Sequence, residues 1–491
     1  MLSSADQRGI LPWLRTTLML SMGALLGLLL LFVSELETKW QVYTAAGLFF
    51  CFLIVIAPNR KTWLWDLLVL SFQFEVSIRL LYGYAGSDGI AFPLTTFIGL
   101  CVLGSHLLSK DDDDSPRLAW RGKLFPYILA FLATSALTVV TTAERFIVVS
   151  SLIGLLQYYL LYLLAFNFIR TEKQLSRTVN LLFIVLAVQS IIYFVQSSLG
   201  VTFNLVGDTR DPGVLPRPGG TVSSNPHGFG SFILPILFLA TTNFIATKQK
   251  QSSVLYPGVV AMLGLGALVL TLTRAIWGGF ILGVVLMIFI MYRRRLLSMR
   301  KMLAVSGVAV LISAAAMPMI MSRLEGSPLN SSYDERLALM KMAIRVIEAN
   351  PVTGVGLGAY DTSYKSYLTS KLADEWQYRV HNYYLLRTAE TGIVGGIAFI
   401  VLLVMAMRQT LRISRSSRFL ISITGISWAA ALIAECFEMY WDIWSTTTVY
   451  GLVWFMLGMM EAAEKIELRE KNVYLEDITK IQYPGLRAGA R

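Results

Sequence analysis

The chain has three histidines, and their surroundings separate them. An imidazole titrates near pH ~6.5, so at neutral pH it can take a proton from a hydroxyl. A positioned base of this kind contributes about 10²–10⁴-fold to a rate. His381 opens the run HNYYLLRTAETGIVGG at the mouth of an apolar stretch, His227 follows Pro226 in a Gly- and Pro-rich segment, and His106 ends another apolar stretch. Each can also be a hydrogen-bonded structural group. Among the cations, Arg217, Arg210 and Arg274 stand apart from the basic clusters. A guanidinium keeps its charge and binds phosphate oxygens through a planar fork. Arg274 can instead snorkel to headgroups, Arg217 can pair with Asp208 or Asp211, and Arg210 suits a surface. Glu435, Glu438 and Asp442 gather at the end of a further apolar stretch, as ligands for hydroxyls or as structural groups. Arg345 and Arg387 project from predicted helices, toward solvent or lipid or as substrate-binding groups, and Tyr383 and Tyr384 read as interfacial aromatics.

The elements that must position these residues are apolar. Charged residues make up 15% of the 491, against about 25% in soluble domains, and the mean hydropathy is +0.61. A membrane-spanning helix needs about 20 apolar residues. About fourteen stretches qualify: 16–33, 41–57, 64–82, 90–108, 124–142, 146–169, 179–198, 229–246, 254–273, 276–292, 301–321, 391–408, 418–437 and 445–461. The first reads as a retained helix, not a cleaved signal peptide. In the third, Glu75 and Arg79 are spaced to pair on one helix face, either within the bundle or along a substrate groove. Cys51, Cys101 and Cys436 all lie in apolar stretches without ligand spacing, which predicts neither a disulfide framework nor a zinc site. No internal repeat of the transporter kind is visible.

The net charge of +11 is a topology signal. Its cations gather at alternate connections, which predicts no nucleic-acid partner. Arg60 and Lys61 begin the basic set, followed by Lys110 to Lys123, Arg170 to Arg177, Lys248 and Lys250, Arg293 to Lys301, and Arg408 to Arg418. The intervening short connections carry Lys39, Arg145 and Arg274 singly. By the positive-inside rule both termini are cytoplasmic. Asp111–Asp114 then form a solvated cytoplasmic run, and two long connections, 199–228 and 323–390, face outward. The predicted division is 1–200, 201–322, the large loop 323–390, 391–461 and a cytoplasmic tail 462–491. Within the loop, YDERLALMKMAIRVIEA at 333–349 has helical apolar spacing and stops at Asn350-Pro351. The glycines Gly354, Gly356 and Gly358 fit a tight turn better than a phosphate fingerprint.

Three motifs resemble the O-antigen ligase and polymerase superfamily. RLALMKMAIRVIEANPVTGVGLGAY followed by HNYYLLRTAETGIVGG is similar to its signature region. TLTRAIWGGF at 271–280 resembles its span with an arginine at the periplasmic face, and RPGGTVSSNPHGFG resembles its arginine-bearing periplasmic loop. The resemblance covers about 215–410, while the first six predicted spans carry no motif of the family and the chain has more spans than the ligases usually have.

The resemblance implies an all-α polytopic membrane protein of the GT-C class with about fourteen transmembrane helices. It implies a metal-independent, inverting glycosyltransferase of the inner membrane, without cofactor, acting at the periplasmic face. The donor would be an undecaprenyl-pyrophosphate-linked glycan, and the acceptor a glycan or lipid hydroxyl. Membrane lipids and polysaccharide-assembly proteins are the other expected partners. His381 then becomes the base, and Arg217, Arg274 and, more weakly, Arg210 the pyrophosphate clamp. Asn382, Glu435 and Glu438 are acceptor-binding or structural candidates. Chain length and extra spans lean the reading to a polymerase over a ligase that adds glycan to lipid A-core. A transporter or flippase of lipid-linked sugars is the rival from another class, as is an assembly partner in which His381 would be replaceable.

Overall fold

Apolar runs bounded by Pro, Gly and polar cap residues become helices, and those helices make up most of the described residues of the computed structural model. It describes residues 60–81, 89–107, 118–201, 218–246 except 224, 255–318 except 298 and 316, 321, 329–368, 379–443 and 446–482. The chain divides at Trp65 into two units, and the described residues of the smaller one are the start of α1 (Arg60–Ser71). The larger unit begins with the rest of α1, followed by β1 (Ser77–Leu80) antiparallel to β2 (Ile90–Pro93) and by α2 (Leu94–Leu107). Then come α3 (Phe125–Thr141), α4 (Arg145–Phe168), α5 (Glu172–Leu199), α6 (Pro226–Ala246), α7 (Leu255–Leu270), α8 (Arg274–Arg293) and α9 (Met299–Ala315). The amphipathic α10 (Leu329–Ala349), α11 (Tyr383–Ile413), α12 (Phe419–Trp441) and α13 (Thr447–Gln482) complete it. Six of these helices, α4, α5, α6, α8, α11 and α12, are long and apolar enough to cross a membrane.

The hairpin corrects the expected third span. Residues 64–82 do not form one helix: α1 stops at Ser71, and Arg79 lies in β1, so the expected i,i+4 pairing of Glu75 with Arg79 on a helix is not made. Glu75 instead accepts hydrogen bonds from the backbone N–H of Thr447 (3.1 Å) and Thr448 (2.8 Å) and from both hydroxyls. It thereby satisfies donors that the first turn of α13 cannot satisfy itself. The expected fourth span likewise starts as strand and turns helical only at Leu94.

Two helices form the centre. α6 is 89% buried over its apolar window and α12 is 78% buried, so both are surrounded by protein. A helix apolar all round belongs in such a position. Small residues set how the neighbours meet. A Cβ on Gly279 or Gly283 of α8 would press on the carbonyl oxygens of Ala434 and Ala430 of α12. Ascending along α8 therefore means descending along α12, and the two run antiparallel. Gly230 of α6 abuts Ile276, which brings the starts of α6 and α8 together.

Between α10 and α11 the glycine turn is stitched to a break in α11. Helical geometry fails at Gly392, whose φ is +73°. The nearby carbonyls of Ala389 and Glu390 accept instead from Val355 N–H and Gly356 N–H, each at 2.9 Å, and Ile393 N–H donates to Pro351 O at 2.8 Å. A side chain at Gly392 would collide with the Val352 carbonyl. The expected tight turn is present, and it braces the short first segment of α11.

Candidate active site

Four chain segments converge at one end of this bundle. α11 opens at Asn382, whose Oδ1 caps the helix by accepting from Leu385 N–H (2.9 Å) while its Nδ2 donates to Tyr440 O (3.1 Å). Tyr384 Oη donates to Cys436 O at 2.8 Å. These bonds fasten the start of α11 to the end of α12, and they bring His381 to Asp442, the residue that closes α12. His381 Nδ1 lies 2.8 Å from Asp442 Oδ1. His227, in the first turn of α6, enters from the other side: its Nε2 sits 3.0 Å from Glu438 Oε1 and 3.7 Å from Asp442 Oδ2. Neither contact has the alignment of a hydrogen bond. Ser231 Oγ also donates to Glu438 Oε1.

Exposure grades these groups. Glu438 and Glu435 are buried, the His227 side chain is 12% exposed, and that of His381 is 34% exposed. Only His381 thus offers much of its ring to an incoming molecule. For Asp442, burial alone pushes the carboxyl up. The charge of His227 and the hydrogen bond and charge of His381 outweigh it, helped by Ile443 N–H (2.8 Å), and hold the group at about 2. Asp442 is therefore a carboxylate at neutral pH.

Arg274 opens α8 with an exposed side chain, directly after Leu272 and Thr273. The antiparallel register of α8 on α12 takes Gly279 at Ala434 back to Arg274 near Met439. That is the level of Glu438 and Asp442, so Arg274 lies at the same end of the bundle as both histidines. Arg217 and Arg210 fall outside the described residues. His106 stands elsewhere, at the end of α2, edge-on to Phe168 at 5.3 Å.

Residues 259–400 match the family model described as O-antigen ligase. The O-antigen ligase match supports the O-antigen ligase and polymerase superfamily, the relationship that the motifs implied. It runs from α7 into α11, and so contains Arg274, α10, the glycine turn, His381 and Asn382. It leaves out His227, Glu435, Glu438 and Asp442. No curated protein matches the chain.

Several placements depart from the sequence reading. Arg387 is neither solvated nor lipid-facing. It is buried on α11, paired with Glu390 at 2.6 Å, over the Tyr383 ring at 4.6 Å and 3.4 Å from Tyr450 Oη. Tyr383, expected at the interface, is 3% exposed inside the bundle. Arg336 on α10 was not singled out at all, yet its charge acts on His227. Nothing in its local sequence distinguishes it from the other cations of α10. The pairing of Asp442 with both histidines was also missed, although the Glu435, Glu438 and Asp442 group had marked the right helix end.

Proposed function

We propose that the protein transfers a glycan from an undecaprenyl-pyrophosphate-linked donor to an acceptor hydroxyl, as an inner-membrane enzyme with its site on the periplasmic side. The observation that carries this is His381, within the O-antigen ligase match, held at the same bundle end as Arg274. The His381 imidazole takes the acceptor proton as the acceptor oxygen bonds to the anomeric carbon. The bond from that carbon to the phosphate oxygen breaks, and its electron pair leaves on the pyrophosphate. Attack from the opposite face inverts the carbon. Arg274, with Arg217 and Arg210, meets the growing charge, the electrostatic contribution that is usually the largest in catalysis. No metal is assigned a step in this reading. Asn382, Glu435 and Glu438 act as structural supports: the first caps α11, Glu438 ties α12 to Ser231 of α6 beside His227, and Glu435 is buried one turn earlier on α12.

The basic connections support the orientation. Arg412 and Arg418 stand at the opposite ends of α11 and α12 from His381 and Asp442. The 23 residues of α12 span about 35 Å at about 1.5 Å each, enough for a bilayer core of about 30 Å. A many-span bundle of GT-C type, divided at 200, 322, 390 and 461 and no longer counting 64–82 as one helical span, is the reading of the whole chain.

The test is reconstitution with an undecaprenyl-pyrophosphate glycan and candidate acceptors. His381→Ala and Arg274→Ala should each lower transfer by about 10²-fold or more. Full transfer by both variants would sink the assignment. Chain length and the additional spans favour polymerisation, which yields a ladder of products. A second reading, ligation to lipid A-core, is favoured by the description of the matched family and yields a single addition.

A further inference from the structure

Asp442 lies outside the family match and 61 positions from His381, yet it is the one residue that touches both histidines at the site end among the described residues. Its backbone is fixed: the N–H donates to Glu438 O at 2.9 Å as α12 ends, and Oδ1 accepts from Ile443 N–H at 2.8 Å. Its side chain is accordingly aimed before any substrate arrives. An ionised carboxylate only accepts hydrogen bonds. The nitrogen of His381 at 2.8 Å from Oδ1 must therefore be the one that carries a proton. In a neutral imidazole the other nitrogen, Nε2, then holds the lone pair. The Nδ1 edge is turned to Asp442, and the side chain as a whole stays one-third exposed.

We propose that Asp442 is the positioning residue of this site: it fixes His381 in the Nδ1–H tautomer with Nε2 facing the acceptor, and steadies His227 with its other oxygen. The kinetic half of this inference rests on His381 as the base; the tautomer does not. When Nε2 takes the acceptor proton, the imidazolium forms beside a fixed negative charge. The proton stays on His381, and Asp442 remains a carboxylate throughout. On the far side, Glu438 lies 3.0 Å from His227 and accepts from Ser231 Oγ, so the arrangement reaches back into α6. A partner that orients a histidine through its second nitrogen is conserved in physical logic wherever only one tautomer is competent.

Solid-state NMR of the full chain in liposomes, labelled with ¹⁵N-histidine, reads the tautomers directly. Three histidines give a spectrum assignable with His106→Gln, His227→Gln and His381→Gln. In the neutral His381 ring of the wild type the proton is expected on Nδ1, and Asp442→Ala shifts that tautomer toward Nε2–H. In the transfer assay, Asp442→Asn lowers kcat by about 10²-fold with little change in KM, and Asp442→Glu recovers part of the loss. A wild-type His381 protonated on Nε2 overturns the inference, and this holds even if Asp442→Ala fails to fold. So does a tautomer that Asp442→Ala leaves unmoved. Failure of the base assignment is a different result: transfer that survives His381→Ala while the wild-type tautomer is as expected.

Discussion

Both ends of the bundle carry carboxylates, most of them buried, but they pair them with different partners. At the basic end, Glu464 of α13 meets Lys123 at 2.6 Å, Arg412 at 2.9 Å and Gln409 at 3.0 Å. Glu461 accepts from the N–H groups of Lys123 and Leu124 at the start of α3. Asp66 takes both arms of Arg177, and Glu172 meets Arg418 at 2.7 Å. At the site end, Glu438 and Asp442 face His227 and His381. Lysine and arginine hold their charge at any working pH, so the first set fastens helices α3, α11 and α13 in every protonation state. An imidazole can both accept and donate a proton through its two nitrogens, so the second set can move one. The same carboxylate chemistry is a clamp beside one partner and part of a reactive site beside the other.

The sharpest test exchanges the two ends. His381→Ala is expected to lower kcat by about 10²–10⁴-fold, whereas Glu464→Gln leaves turnover per folded molecule unchanged; comparable kinetic losses from both would erase the distinction. Next in size is Gly392→Ala. It forces an alanine to a φ of +73° and against the Val352 carbonyl, which should cost about 1–2 kcal/mol of local strain. Because the segment that fails carries His381, transfer should fall by more than thermal stability does, and a loss confined to the melting temperature would separate the kink from the site. Glu464→Gln should cost about 1–2 kcal/mol, visible as a lower Tm, since its partners are half exposed and only the acid is buried. The smallest effect concerns acid. Asp442 sits at about 2, below the ordinary carboxyl value of about 3.9. Its contribution to stability is complete above about pH 4 and disappears as pH falls toward about 2. Asp442→Asn should flatten that part of the unfolding curve, and an unchanged acid limb would mean that the histidines do not hold the carboxylate down.

The local features of the fold were legible in the residues. The Asn350-Pro351 stop ends α10 at Ala349, and the spans at 124–142, 146–169 and 418–437 became α3, α4 and α12 with ends displaced by a few residues. Apolar periodicity and cap chemistry act over a turn or two of helix, so a linear string carries them. What failed had a distant cause. Glu75 and Arg79 are spaced for a helix, but a distant pair of threonines on α13 competes for the acid, and strand pairing with β2 takes the residues that follow it.

For the site, residue type and motif alone singled out His381 and Arg274, since a boundary histidine and an isolated arginine are unusual in a chain so poor in charge. The residues could not disclose which acid His381 would meet. Glu390 is nine positions away and pairs with Arg387, while Asp442 is 61 positions away and pairs with His381. That choice belongs to tertiary packing: α8 lies close on α12 through Gly279 and Gly283, and α11 is bonded to α12 at Tyr440 and Cys436. Only the resulting register brings the ends of α6, α11 and α12 to one level, where two histidines share one carboxylate.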